Sequence, residues 1–326
     1  MNCIKMGSDI PRYVDLPGGA KYPVIGLGTH NATGGPGSIC EAVKYAIDIG
    51  YRSVDCAYVY GNEKEVGEAI QSKLNDGTIK DKEEIFITTK LWDTHHNPKY
   101  IKENFQKYLD ILQVDRVQLL LVHWPVSLKD GDEVFPTDKN GKVIFADHDI
   151  VDTWRGMEEL VDVGMVDNIG LSNFNRAQTE RILQAARIQP CNVQIEIHPY
   201  FSNRKLVDFC VSKGITVTAY APLANPYSPL RTDDEPRIFN EPILKQISQN
   251  KGKTIAQVVL RFLLQRNIVV IPKSITSSRI LENFDVFSFT LSEDEMSQIW
   301  SLDKNMRMWK ETFAIDHKDY PFNDEF

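Results

Sequence analysis

Three observations predict a (β/α)8 TIM barrel formed as one domain over residues 1–326. Eight short β-rich runs are spread along the chain. Most are continuously apolar rather than alternating, as strands covered on both faces are. Helical patterns lie between them, so the chain reads as repeated βα units of a size suited to one barrel. A doubly wound sheet is the rival. It calls for a GxGxxG turn leading straight from the first strand into a helix. The first run ends instead in residues 26–37 (GLGTHNATGGPG), and the helix starts too late for that fingerprint.

Residues 13–24 (YVDLPGGAKYPV) read as a hairpin around Gly18 and Gly19, ahead of the barrel. The first barrel strand is 24–29 (VIGLGT), followed by a helix at 39–50 with apolar residues every three and four positions and Gly50 at its stop. The second, 53–57 (SVDCA), carries Asp55 and is followed by Tyr60, the turn residues Gly61 and Asn62, and a helix at 63–74. The third, 85–91 (IFITTKL), carries Lys90; the fourth, 117–124 (VQLLLVHW), ends at His123. The fifth, 166–173 (VDNIGLSN), ends in Ser172 and Asn173, and the sixth, 192–198 (NVQIEIH), holds Gln194 and Glu196. Gly214 stops a helix before the seventh, 215–222 (ITVTAYAP), which holds Tyr220. A helix at 254–265 precedes the eighth, 268–274 (IVVIPKS), which ends in Lys273 and Ser274. Long polar segments at 127–149 and 224–242 follow strands four and seven, so both should rim the C-terminal mouth, where barrel active sites lie. The tail beyond about Asp303 is rich in aromatics and charge and is expected over the same mouth.

Composition narrows the function. Apolar residues make up 42% and charged residues 25%, as in a soluble globular protein. No run of eighteen apolar residues is present, and the N-terminus lacks a signal-peptide core. Five scattered cysteines without a CxxC argue against a disulfide framework or zinc site and for a reducing, cytoplasmic compartment. A net charge of -8 gives no reason to bind nucleic acid or an anionic membrane.

The polar strand ends would converge on one ring. Burying Asp55 is costly unless it is paired, and Lys90 can supply the charge one strand over. An ammonium beside Tyr60 is expected to lower its phenol from the usual ~10 and make it a usable acid. His123 can bond a substrate oxygen from the other side. A Tyr acid and a His donor around one oxygen suit carbonyl reduction. No side chain donates hydride, so a cofactor is implied. The plainer alternative keeps Asp55 and Lys90 as a structural ion pair and Tyr60 as a surface aromatic.

These residues resemble the aldo-keto reductase superfamily across essentially the whole chain, and its aldose/aldehyde reductase branch in the tail. Residues 55–70 (DCAYVYGNEKEVGEAI) are similar to its Asp-to-Tyr signature, 86–92 (FITTKLW) to its lysine strand and 121–125 (LVHWP) to its histidine strand. Residues 170–175 (GLSNFN), 194–201 (QIEIHPYF) and 220–223 (YAPL) resemble its cofactor-binding strand ends. Residues 271–283 (IPKSITSSRILEN) resemble its adenosine-phosphate grip, and 317–326 (HKDYPFNDEF) the branch's tail. The resemblance implies Tyr60 as general acid, tuned by Asp55 and Lys90, with His123 orienting the carbonyl. It implies NADPH as cofactor. Ser172, Asn173 and Gln194 would hold the carboxamide and Tyr220 would stack on the nicotinamide. Lys273, Ser274, Arg279 and Asn283 would bind the far end, with Lys273 and Arg279 on the 2′-phosphate and Glu282 at the adenine; Thr29 and Leu223 complete the set. Val59, Trp92, Trp124 and Phe135 would line the substrate pocket. His30 stands where the branch has a pocket Trp, and Trp309 where it has a pocket Cys. Ala221 replaces the Ser after the stacking Tyr, and residues 224–230 lack a Gly. His30 also reads as a solvated loop residue.

The leading expectation is a monomeric, metal-free NADPH-dependent reductase of aldehydes and ketones, among them aldoses and aromatic or aliphatic aldehydes. Alternatives are a ketosteroid or prostaglandin ketone reductase, a non-catalytic NADPH-binding regulatory subunit, and a metal-dependent hydrolase. The last would need clustered ligands, and neither His95–His96 nor His198 has a credible partner set.

Overall fold

The computed structural model describes residues 10–17, 19–30, 34–226, 232, 235–309 and 311–324. The chain opens with an antiparallel hairpin of β1 (Tyr13–Asp15) and β2 (Lys21–Pro23). Gly18 in its turn lies outside the described residues; Gly19 takes a left-handed φ of 88°. Eight parallel strands follow: β3 (Leu27–Gly28), β4 (Ser53–Asp55), β5 (Phe86–Leu91), β6 (Val117–Val122), β7 (Val166–Ser172), β8 (Asn192–Glu196), β9 (Thr216–Tyr220) and β10 (Val269–Val270). Each pairs with its neighbours in chain order.

The sheet curls until its edges meet. Ile25 bridges Val270, and Gly28 bridges Lys273. The amides of Gly26 and Gly28 donate to the carbonyls of Val270 (2.9 Å) and Pro272 (3.2 Å). This seam is thinner than expected. The runs 24–29 and 268–274 keep only two ladder residues each, and Pro272, with no N–H, cannot extend the ladder of β10. Backbone contact there is close enough that a Cβ on Gly28 would lie 2.7 Å from the Ile271 carbonyl oxygen.

Six helices join successive strands from β3 to β9: α1 (Ser38–Asp48), α2 (Glu63–Asn75), α3 (Ile101–Leu112), α4 (Ile150–Asp162), α5 (Arg176–Ala185) and α6 (Arg204–Ser212). Gly50 and Gly214 have left-handed φ just past α1 and α6, the conformation that ends a helix without a Cβ penalty. Two helices, α7 (Pro242–Lys251) and α8 (Ile255–Gln265), lie between β9 and β10; α9 (Ser277–Phe284) and α10 (Glu293–Trp300) close the ring. The main core fills the layer between strands and helices. A smaller cluster of Leu16, Tyr22, Phe86, Leu119, Leu121, Cys191 and Val269 packs the hairpin against the barrel. There Tyr22 stacks on Phe86 at 4.4 Å. A third cluster, of Trp92, Trp124, Val126, Leu128, Ala314 and Tyr320, joins the strand-four insertion to the tail. Leu128 bridges Phe145 and Thr137 bridges Val143, so the insertion is a folded excursion. The second insertion lies partly outside the described residues. Among the described residues, no helix is long and apolar enough to cross a membrane.

Candidate active site

Parallel register brings the polar strand ends to one level. Asp55 pairs across from Gly28 and Thr88, and Ser172 lies opposite Gln194. Asp55 and Lys90 are buried to 2% and 1% exposure. The Lys90 ammonium donates to Asp55 Oδ1 at 2.5 Å and to the Cys56 carbonyl at 2.9 Å. The second carboxylate oxygen accepts from Gln194 Nε2 at 2.7 Å. A buried ion pair is tolerable only when its remaining bonding capacity is met, and here it is largely met. Thr29 clamps the same corner: its amide and hydroxyl both donate to the Asp55 carbonyl, at 3.0 and 2.9 Å. Asn62 Nδ2 in turn donates to the Thr29 carbonyl at 2.8 Å.

Tyr60 ends a 3-10 turn, Tyr58–Tyr60, that Gly61 closes with a left-handed φ of 65°. The turn folds the phenol back over the strand ends. Its ring centre lies 5.0 Å from the Lys90 ammonium and 5.9 Å from the His123 ring. The expectation that its pKa falls below the ordinary value is overturned. Burial pushes the phenol up to about 12, with Lys90 opposing that rise and Asp55 adding to it. The residue is half-open to the cleft, but protein crowds its hydroxyl end. Burial would also lower the Lys90 ammonium, yet Asp55 and Tyr60 outweigh it and hold Lys90 above its ordinary value. His123 is held well below the ordinary imidazole value, by burial first and then by Lys90. It is therefore neutral at physiological pH.

The other predicted residues divide by place. Asn173, at φ 63°, donates from Nδ2 to the His123 carbonyl at 3.0 Å and to Ser172 Oγ at 3.2 Å. The Tyr220 hydroxyl donates to Asn173 Oδ1 at 2.8 Å. Gln194 has its amide nitrogen engaged by Asp55. Leu223 is half-buried against the core. Lys273 and Ser274 lie at the seam, half-buried and buried, while Arg279 is exposed in the first turn of α9. Asn283 is buried. Glu282 accepts from the Thr254 hydroxyl at 2.7 Å and so ties α9 to the start of α8.

Aromatic rings wall the cleft. His30 keeps an exposed face but meets Tyr60 edge-on at 4.9 Å and Trp309 at 5.2 Å. Burial, then Lys90 and Lys273, press its pKa down to about 4. Trp92 lies 5.2 Å from the His123 ring and 5.4 Å from Phe135, and its indole donates to the Val134 carbonyl at 2.7 Å. Phe313 reaches Trp92, Trp124 and Phe135 at 6.0, 6.2 and 5.4 Å. Val59 packs beside this cluster.

Several residues with a part here went unassigned in the sequence. Glu196 is fully buried at the end of β8. Its carboxylate accepts the backbone amides of Met308 (2.6 Å) and Trp309 (3.1 Å) and lies 2.9 Å from His198 Nε2. The Arg307 guanidinium, 3.7 Å from it, sits against Phe322 and Phe201. Glu63, at the start of α2, is buried behind Lys90 and accepts from the Thr89 hydroxyl. Burial raises its carboxyl to about 7. Phe313 and Glu311 belong to the tail. Only Glu196, as a strand-end acid, carried a signal that the repeat could reveal. His95 is buried with Nδ1 2.7 Å from the Tyr108 hydroxyl, and among the described residues no three His, Cys, Asp or Glu side chains gather as metal ligands.

Residues 24–304 match the sequence pattern of the Aldo/keto reductase family. The chain belongs to that family. As an aldo/keto reductase it is an oxidoreductase acting on carbonyl groups, from a family that uses a nicotinamide cofactor. It is 42% identical over 323 residues to Aldo-keto reductase family 1 member A1 of Xenopus tropicalis, covering 96% of this chain and 98% of that one. The Homo sapiens protein of the same name is 41% identical over 317 residues, with 94% and 97% covered. Among solved structures, the aldose reductase from Schistosoma japonicum superposes with a TM-score of 0.90 at 45% identity, over 97% of this reductase and 100% of that chain. The barrel thus matches the (β/α)8 fold of that aldose reductase.

Proposed function

We propose that this reductase converts aldehydes and ketones to alcohols with NADPH, and that Tyr60 is its acid. The observation that supports this most is the stack of His123, Tyr60 and the Lys90–Asp55 pair on one side of an aromatic cleft. Tyr60 keeps its proton across neutral pH and can give it to a carbonyl oxygen as negative charge develops there. Lys90 lies where it steadies the phenolate left behind, and Asp55 holds Lys90 in place. Neutral His123 fixes the oxygen without competing as the stronger acid. NADPH, when bound, supplies the hydride.

The chain's own residues fit such a cofactor. Asn173, Ala221 and Ala224 all hold positive φ at the ends of β7 and β9, a strain that non-glycine residues adopt where the surrounding structure demands it. Ser172, Asn173 and Gln194 offer amide and hydroxyl groups there, with Tyr220 beside them. Thr29 and Leu223 would flank the nicotinamide end. At the far end α9 starts at Thr276 with no side-chain cap, so its first-turn amides can meet a phosphate. Lys273, Ser274 and Arg279 add charge and hydrogen bonds, and Asn283 and Glu282 complete the adenosine side. A cytoplasmic, single-chain enzyme suits the free thiols of Cys40, Cys56, Cys191 and Cys210.

The test is Tyr60→Phe, assayed for NADPH oxidation with a small aldehyde and for NADPH binding by calorimetry. Turnover should fall at least ~100-fold, the usual worth of a placed acid, with the dissociation constant for NADPH little changed and below that for NADH. Retained turnover would remove Tyr60 from its role. Equal affinity for the two nucleotides in the unmutated protein would remove NADPH.

A further inference from the structure

The mouth of the pocket carries a carboxylate that the proposed chemistry does not use. Glu311 is half-buried in the tail between two residues that touch the wall. On one side is Trp309, one ring away from His30 and two from Tyr60. On the other is Phe313, which packs on Trp92, Trp124 and Phe135. The Glu311 charge acts on Asp93 and on Tyr220, on different sides of the mouth. Among the described residues, three cations on the surrounding segments are matched elsewhere: Lys142 by Asp316 (3.4 Å), Lys107 by Asp132 (3.0 Å) and Lys318 by Asp147. Arg307 is turned toward Glu196 between two phenyl rings. Beneath the Trp92–Trp124 wall, Asp93 is fully buried, and neither of its oxygens has a full hydrogen-bond partner among the described residues. The aromatic lining itself offers no charge to an anion. A second negative charge brought into this partly enclosed cleft would meet Glu311 with less screening than in open water.

We infer that Glu311 sets the substrate class of the proposed reductase: it admits neutral and cationic carbonyls and rejects those that carry a carboxylate or phosphate near the reacting group. This rests on the reading of the site as a carbonyl-reducing pocket. It extends that reading to charge, which the Tyr60 chemistry leaves open. Glu311 touches no reacting atom; it is a specificity-determining residue.

The full chain is assayed with NADPH at pH 8 on three para-substituted benzaldehydes of similar size. These are the neutral nitro, the anionic carboxy and the cationic trimethylammonio compounds. The expected order of kcat/KM is cationic at or above neutral, and neutral above anionic. Glu311→Gln should raise the anionic-to-neutral ratio about tenfold, the scale of one unit charge at a partly buried site. Added salt should narrow the discrimination of the unmutated protein more than that of the variant. An anionic aldehyde that matches the neutral one in the unmutated protein overturns the inference, as does a ratio unmoved by Glu311→Gln. Calorimetry with the three corresponding alcohols reads the same preference without turnover. If no aldehyde is reduced, the reductase reading fails, while those titrations still decide the charge preference.

Discussion

Asp55, Lys90, Tyr60 and His123 could be read from the chain because each stands at or just beyond the end of an apolar run. A buried strand announces a polar intruder. Glu63 shows the opposite case. An acid in the first turn of a helix reads as a solvated partner of the helix dipole, yet here it is 3% exposed, behind Lys90. Its carboxyl titrates at about 7 rather than at the ordinary 4.5, because burial disfavours its charged form. The sign follows from linkage. The folded state holds the proton more tightly than the unfolded one. The stabilisation is complete below about 4.5 and is lost as pH rises through about 7. Its scale is about 3 kcal/mol. Glu63→Gln should therefore flatten the fall in Tm between pH 5 and pH 8, and a variant with an unchanged pH slope would place the titration elsewhere. The Tyr60 phenol departs from its sequence expectation for the same reason. Proximity to Lys90 was legible in the order of motifs, but the degree of enclosure was not.

Among elements, periodicity located α1, α2 and α8 well, because their apolar stripes are long. Nine of the eleven residues of α8 are buried, so its stripe is core rather than a docking face. The tail had no period to read. Its aromatics are visible in the sequence; the contacts that fix it are not. It is bolted at its start by Glu196 and near its end by Asn175 and Gln178, which donate to Asp324 (2.7 Å) and to the Asp319 carbonyl (2.8 Å). Glu196→Gln replaces one acceptor oxygen with a donor that faces backbone N–H groups, so the start of the tail should loosen. KM for a bulky aldehyde should rise several-fold, with a smaller change in kcat on a small one. An equal loss on both substrates would instead mark Glu196 as a residue of the fold alone. Charge-assisted bonds of this kind contribute ~1.5–3 kcal/mol each, enough to hold a segment that has no ladder of its own.

For the whole molecule, the count and order of the eight strands were legible, and the strength of their closure was not. Ladder length depends on how two distant edges meet, and nothing local encodes that. The thin seam makes Gly28 a demanding position. Gly28→Ala should clash with the Ile271 carbonyl oxygen and cost ~1–3 kcal/mol. A lower Tm in thermal unfolding checks this, and an unchanged Tm would show that the seam yields. At the opposite end of the tube, the hairpin stops the barrel like a cork, with Tyr22 wholly enclosed. Closed at that end, the tube leaves the ring around Tyr60 to be reached from the other, where the tail and the strand-four insertion pack together.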